Sequence, residues 1–479
     1  MPKRPSREKA SERKGSADLT DPPPKKRKGK DKLDKQDIYI IFEKEQPLTE
    51  APPVEELLQN LEIHEEQPKP KIKPILTLTK KELTYFKKLS NEQQLKLNVH
   101  METLQSYNED SEIPLRFRIL ELPVSEYVKS SVLKKIQTLE DDTGEHHKIK
   151  NWVDAFLKIP FGKTIPLPVS LDTGKEKCSL FLQDSRRILD EAVYGMSNAK
   201  TQILQVISQW IANPDSIGNV IALQGPAGVG KTSIARNGIA KALCRPFEFF
   251  SLGGASDVAT YTGHSYTYEG SMWGRIADSL MHSKCMNPVL YFDELDKISG
   301  TPHGEEIASM LIHLTDRSQN SQFHDRYFSG IDLDVSQCLF VFSFNDINLV
   351  NPILRDRMQV IHCGGYSQKE KQTILEQYVW PDLLKRLRFS PKDILLGESS
   401  KFLISEYSSK EEGVRTLIRT AEMLVTRLNM LRIANEETMK DYKFYLDVKF
   451  PLELNITHIK KLLFDYAQKE PELWRAMYN

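Results

Sequence analysis

Residues 225–232, GPAGVGKT, combine side-chain types and spacing that specify a chemistry. Gly225, Gly228 and Gly230 let the backbone take conformations closed to residues with a Cβ, so successive N–H groups turn inward and cradle phosphate oxygens. Pro226, Ala227 and Val229 space the glycines. Lys231 is placed to reach the β and γ phosphates, and Thr232, followed by Ser233, offers a hydroxyl to Mg²⁺. About 60 residues on, VLYFDELD (289–296) runs an apolar strand into two acids. At the C-terminal end of a parallel strand, acids stand beside phosphates held by the loop after another strand. Asp293 suits a Mg²⁺ held through water, and Glu294 suits polarisation of the attacking water. LFVFSF (339–344) then delivers Asn345, which either orients that water or touches the γ phosphate, or is a turn residue after a strand. The three segments together predict nucleotide hydrolysis rather than binding alone.

Such a site needs a sheet to bring strand ends together. VIAL (220–223), FEFF (247–250), VLYF (289–292), LFVFSF (339–344) and QVIH (359–362) are short apolar runs separated by helical stretches. That alternation predicts a parallel sheet covered on both faces, an α/β fold, over 184–365. Upstream, 76–183 reads as a helical region. Thr79 and Glu82 form a capping box, helices are expected at 125–139 and 149–161, and Trp152, Phe156 and Leu157 share a face. From 366 to 479 the pattern is helical only. Over 411–428, Val414, Leu417, Ile418, Ala421, Leu424, Val425 and Leu428 form one amphipathic stripe.

Residues 1–75 differ in kind. The first 36 carry 13 basic and 6 acidic side chains, and 11 of the chain's 26 prolines precede residue 76. This segment cannot bury enough apolar surface to offset its ordering entropy, so it is expected to be a disordered tail. Ile38–Phe42 and 54–63 read as peptide motifs for a partner. PPPKKRKGK (22–30) places Lys25, Lys26, Arg27 and Lys28 together, either as a nuclear import signal read by a receptor or as a run that binds polyanions loosely.

The whole chain has 479 residues, 39% apolar and 28% charged, with 66 basic and 66 acidic side chains. At roughly 150 residues per domain this suggests about three units and excludes a collagen or a disulfide scaffold. No apolar run approaches the roughly 20 residues that cross a bilayer, so no membrane association is expected. The charged N-terminus lacks the apolar centre of a secretory signal, which predicts an intracellular protein. Cys178, Cys244, Cys285, Cys338 and Cys363 are widely separated, as fits reduced structural thiols rather than a metal site.

Taken together these residues resemble the AAA+ ATPases, and within them the ATPase portion of the Lon proteases. The likeness runs from about Leu122 onward and is carried by IKNWVDAFLKIPFGK (149–163), RILDEAVYGMSNAKTQIL (187–204), SLGGASDVATYTGHSYTYEGSMWGRI (251–276) and NPILRDRMQVI (351–361). It implies an AAA+ P-loop sheet followed by a small helical lid domain, ATP and Mg²⁺ as ligands, and a homo-oligomeric ring of six in the family's manner. It also implies that Tyr194 lies near the adenine, that Asn345 is sensor 1, and that Arg357 is the arginine finger acting on the next subunit. For Arg357 the alternatives are a surface arginine or the rival Arg355. Arg415 would be sensor 2, or else pair with Glu411 or Glu412 on the helix surface.

In Lon ATPases a pore loop grips unfolded polypeptide with an aromatic residue beside an aliphatic one. Tyr268 keeps the aromatic, whereas Glu269 stands in the aliphatic place and Trp273 where proline is usual. Tyr266 and Trp273 either restore aromatic surface or are packing residues. No serine loop of the Lon peptidase type occurs, so peptidase activity is not expected from these residues. Two functions follow: an ATP-driven unfoldase of protein substrates, working with a separate protease, or a nucleic-acid-associated AAA+ ATPase attached through its basic tail.

Overall fold

The computed structural model describes residues 73–74, 78–107, 113–140, 146–214, 220–255, 257–268 and 270–465. The basic run 22–30, the stretches 38–42 and 54–63, Glu269 and residues 466–479 lie outside the described residues. The chain divides into two compact units, one ending at Glu109 and one beginning at Asp110.

In the first unit, α1 (Lys80–Lys88) starts at the expected capping box: Glu82 N–H donates to Thr79 Oγ1 at 3.4 Å, and Thr79 N–H to Glu82 Oε2 at 2.7 Å. α2 (Asn91–Tyr107) follows after a bend at Leu89. Gln94 Nε2 ties the turn, donating to the carbonyls of Phe86 and Leu89 at 2.9 Å each.

The second unit opens with α3 (Leu115–Glu121), α4 (Glu126–Glu140), α5 (His146–Lys158), α6 (Lys175–Ala192) and α7 (Ser197–Ala212). All five expected strands form: β1 (Val220–Gln224), β2 (Phe247–Ser251), β3 (Val289–Asp293), β4 (Leu339–Phe344) and β5 (Gln359–His362). They pair in parallel in the order β2-β3-β4-β1-β5. Connecting helices are α8, which starts at Lys231–Ser233 and widens into a π segment at Ile234–Ala240, then α9 (Arg275–Ser283) and α10 (Pro302–Thr315).

Strand alternation splits the core in two. Ile221, Leu223, Val289, Tyr291, Leu339 and Val341 face α6, α7 and α8. Ala222, Leu290, Phe292, Phe340 and Phe342 face α9, α10 and the Trp152 and Phe156 rings of α5. Those two rings stack at 5.5 Å, and Trp152 Nε1 donates to the Tyr327 carbonyl at 2.9 Å, so α5 is fastened to the sheet domain. No helix among the described residues is long and apolar enough to cross a membrane.

Beyond residue 366 helices dominate, as expected: α11 (Gln368–Ile374, continuing through a π segment into Trp380–Arg386), α12 (Ser399–Tyr407), α13 (Arg415–Ile433) and α14 (Ile456–Leu462). The reading of helices only needs one correction, because Ile394–Leu395 pairs in parallel with Leu452–Glu453. Two residues are too short for any period to register. Ile418 also departs from the expected apolar stripe of α13, being 37% exposed while its neighbours Leu417, Ala421 and Leu424 are fully buried.

The helical portion docks on the sheet portion through backbone. Val414 N–H donates to the Gly228 carbonyl at 3.2 Å, and Tyr366 N–H to the Glu412 carbonyl at 2.8 Å. The approach at Gly413 is so close that a Cβ there would lie 2.2 Å from the Ala227 carbonyl oxygen. Gly413→Ala is therefore expected to speed amide hydrogen exchange at Val414 about tenfold while the β1 amides keep their protection. Unchanged exchange at Val414 would refute this account of the contact.

The loop 263–274 is rooted by buried Asp325, whose Oδ2 accepts from Gly274 N–H at 2.8 Å and Oδ1 from Tyr327 N–H at 2.9 Å. Burial, set against those donors, pushes its pKa up to about 6. A folded-state pKa above the ordinary one contributes stability that is fully present below about pH 4 and is lost as pH rises through 6. In urea unfolding, the stability of wild type relative to Asp325→Asn should thus fall by about 1–3 kcal/mol between pH 4 and 7.

Candidate functional site

The loop 225–232 links β1 to α8 at the C-terminal edge of the sheet, with Gly228 and Gly230 at φ of 78° and 102°. It walls a cavity of about 540 Å³ that Ala227, Gly228, Val229, Gly230, Lys231, Thr232 and Ser233 line together with Asp293, Glu294, Asn345, Tyr194 and Arg415. Lys231 Nζ is the hub: it donates to the Gly225 carbonyl at 2.6 Å, the Pro226 carbonyl at 3.2 Å and Asn345 Oδ1 at 2.6 Å. Burial lowers the pKa of this ammonium, while nearby Asp293 and Asp296 act in the opposite sense. Ala227 to Ser233, Asp293, Glu294 and Asn345 thus share one cavity, Gly225 and Pro226 take part through carbonyls that accept from Lys231, and the Asn345 side chain turns to Lys231.

β3 supplies the acids. Asp293 Oδ1 accepts from Glu294 N–H at 3.1 Å, from Tyr291 OH at 3.4 Å and from Ser343 Oγ. The Tyr291 hydroxyl also lies 3.1 Å from Thr232 Oγ1. Glu294 stands in the left-handed region at φ 61°, a conformation that costs a non-glycine residue on the order of 1–3 kcal/mol. The turn carries its carboxylate over the Gly253 backbone, where a Cβ would come within 2.0 Å of Oε2. Asp296, three residues after Asp293, is buried and its Oδ2 accepts from Asn345 N–H at 3.2 Å and Asp346 N–H at 3.3 Å.

The opposite wall is apolar, then cationic. The Tyr194 and Tyr378 rings lie 6.0 Å apart, tilted by 58°, and Ile374 and Ile418 line the same cavity. Exposure of Ile418 thus has a place in the site. The alternative of a surface pairing of Arg415 with Glu411 gives way to a different bond: Glu411 caps α13, accepting from Arg415 N–H at 3.1 Å and Thr416 N–H at 2.8 Å. Buried Lys371 holds the preceding turn, donating to the Ser408 carbonyl at 2.8 Å and to the Glu411 carbonyl. Tyr366 OH spans the two portions, donating to the carbonyls of Val229 at 2.8 Å and Tyr194 at 3.3 Å.

Three of the expected functional residues stand apart from this cavity. Arg357 Nη1 pairs with Asp316 Oδ2 at 2.7 Å and donates to the Ile312 carbonyl at 3.1 Å, so it is anchored at the end of α10. Bonds from Ser318 and then Arg357 hold the Asp316 pKa down at about 2. Arg355 is exposed. Tyr268 projects, 70% exposed, and its projecting neighbour in the loop is Met272 at 62%. Trp273 is packing rather than free aromatic surface: Nε1 donates to Asp278 Oδ1 at 2.9 Å and its ring meets Tyr327 edge-on. Tyr266 lies 4.2 Å beneath the Lys135 ammonium.

Sequence reasoning missed Tyr291, Asp296, Tyr366, Lys371 and Tyr378. For Tyr291 a signal existed, since a hydroxyl two residues before Asp293 shares its face of the strand. The others depend on pairings across about 50 residues for Asp296 and more than a hundred for Tyr366 and Tyr378, or on burial of a lysine, for which periodicity carries no sign.

Residues 221–365 match the model of the ATPase family associated with various cellular activities (AAA). Over 329 residues, 67% of this chain and 32% of the relative, the chain is 35% identical to a Lon protease homolog of Acanthamoeba polyphaga mimivirus. It is 33% identical over 370 residues to the Lon protease of Chlamydia trachomatis, covering 75% of this chain and 42% of that one. Against the mitochondrial Lon protease homolog of Saccharomyces cerevisiae it is 35% identical over 328 residues, 68% and 28% of the two chains. The chain thus spans about a third of the length of these relatives. With the parallel sheet and phosphate-loop geometry, these likenesses identify an AAA+ ATPase module of the Lon protease family.

Proposed function

We propose that this chain hydrolyses ATP with Mg²⁺ and uses the cycle to unfold or remodel protein substrates. The observation that carries the reading is the Lys231 ammonium, 2.6 Å from Asn345 Oδ1, in one cavity with Asp293 and Glu294. The cavity fits the ligands: an amide-lined loop with a cation suits phosphates, two acids suit a divalent ion, and the Tyr194 and Tyr378 slot suits a purine. Thr232 and Asp293 would hold the Mg²⁺, which when bound neutralises charge on the transferring phosphoryl group. Lys231 binds the β and γ phosphates. Glu294, exposed at the cavity rim, orients the attacking water and accepts its proton. Asn345 positions that water or the γ phosphate, and Arg415 brings positive charge from the lid. This reading attributes ATP hydrolysis, and not peptide hydrolysis, to the described residues.

Arg357 supports a ring, of six subunits in this reading, because it lies outside its own cavity and is held by one edge of its guanidinium. Presented to a neighbour's phosphates, such an arginine contributes about 10³- to 10⁵-fold in turnover. Tyr268 supports a polypeptide substrate, being a large exposed aromatic ring on a loop rooted by buried bonds.

Lys231→Ala should abolish binding of a fluorescent ATP analogue. Glu294→Gln should retain binding and lose at least about 100-fold in turnover. With Glu294→Gln as the blank, steady-state hydrolysis should rise severalfold with casein and stay level with single- or double-stranded DNA. Stimulation by DNA alone would sink the protein-substrate reading. In mixed assemblies, Arg357→Ala subunits should recover turnover when combined with Glu294→Gln subunits. Failure at every ratio would refute action in trans.

A further inference from the structure

We infer that Tyr291 is a positioning residue for the cation site, setting which lone pairs of Thr232 and Asp293 face the metal. The inference rests on the reading above that these two residues hold Mg²⁺.

β3 is otherwise apolar up to its acids, yet Tyr291 places a hydroxyl on the same face as Asp293, toward α8. The ring is fully buried and packs against Phe247 at 5.5 Å and Phe249 at 5.8 Å, so the hydroxyl has a fixed position. That hydroxyl lies 3.4 Å from Asp293 Oδ1 and 3.1 Å from Thr232 Oγ1. A phenol has one proton to give and lone pairs to accept with. Given to the carboxylate, its proton makes Tyr291 an acceptor for the Thr232 hydroxyl. The Thr232 proton is then directed into the protein and its lone pairs toward the cavity, as a metal ligand requires.

Asp293 is ordered by the same bonds. Oδ1 receives Tyr291, Ser343 and the Glu294 N–H, while among the described residues Oδ2 receives no donor. Oδ2 is therefore the oxygen left for a cation or its water. Tyr291 joins the two cation ligands of this reading, one from α8 and one from β3, through a side chain placed to touch neither phosphate nor metal.

A tyrosine buried only for packing would need some partner for its hydroxyl, and removing it would cost stability alone. Tyr291→Phe keeps the ring contacts and separates the two cases. The measurement is affinity for a fluorescent ADP analogue, in EDTA and across a Mg²⁺ titration, with Thr232→Val alongside. Tyr291→Phe should bind within twofold of wild type in EDTA, and its Mg²⁺ half-saturation should rise about five- to tenfold. Thr232→Val should lose most of the Mg²⁺ effect. If Thr232→Val loses it and Tyr291→Phe titrates like wild type, or weakens equally with and without Mg²⁺, the positioning role is wrong. If Thr232→Val keeps the full Mg²⁺ effect, the assignment of the cation ligands fails and the Tyr291 inference with it.

Discussion

Parallel register is the constraint on which the site depends. Pairing sets Gln224 beside Phe344 and Phe292 beside Phe342, so β1, β3 and β4 end within one residue of a common level. The next residue of each strand or loop then carries function within a few ångströms: Gly225 begins the phosphate loop, Asp293 meets Ser343, and Asn345 reaches Lys231. A slip of one residue in β3 would turn Asp293 to the opposite face and bring Phe292 to the cavity. The two hydrophobic cores hold that register, and the stacked Phe250, Phe292 and Phe342 rings add lateral fixing across three strands.

Charge burial is the second organising theme. Lys231, Lys200 and Lys371 are partly or wholly buried ammonium groups; Lys231 and Lys371 are compensated mainly by backbone carbonyls, and Lys200 by one carbonyl and one carboxylate. Lys200 reaches Val193 at 2.6 Å and Asp190 at 2.7 Å, fixing the turn that carries Tyr194. Lys371 fixes the turn that carries Arg415. A buried ammonium without partners costs several kcal/mol, so these lysines make their turns the low-energy choice. Two walls of the cavity are shaped by cations that never face it.

Much of this was legible in the chain. The five strands announced themselves as short apolar runs, because a strand covered on both faces has no polar side to interrupt it. GPAGVGKT and DE after an apolar strand specified phosphate chemistry because few residue types perform those tasks at those spacings. What stayed hidden was contact between distant segments. Nothing near Trp273 signals that Asp278 and Tyr327 draw it inward, and nothing near Arg357 signals that Asp316 anchors it. Lysine is usually solvated, so Lys371 in a polar helix gives no local sign of its burial. The two-residue ladder at 394–395 is too brief for any period to register.

α13 begins at the cavity with Arg415 and runs 19 residues to Ile433 without interruption. At 1.5 Å per residue it is a rigid arm of roughly 28 Å. Its near end is pinned to the phosphate loop by the Gly413 approach and the Val414 bond, close to a fulcrum at Tyr366. A tilt of about 5° there, too small to break one hydrogen bond, would sweep the far end through about 2.5 Å. The geometry is that of a lever with a short input side and a long output side.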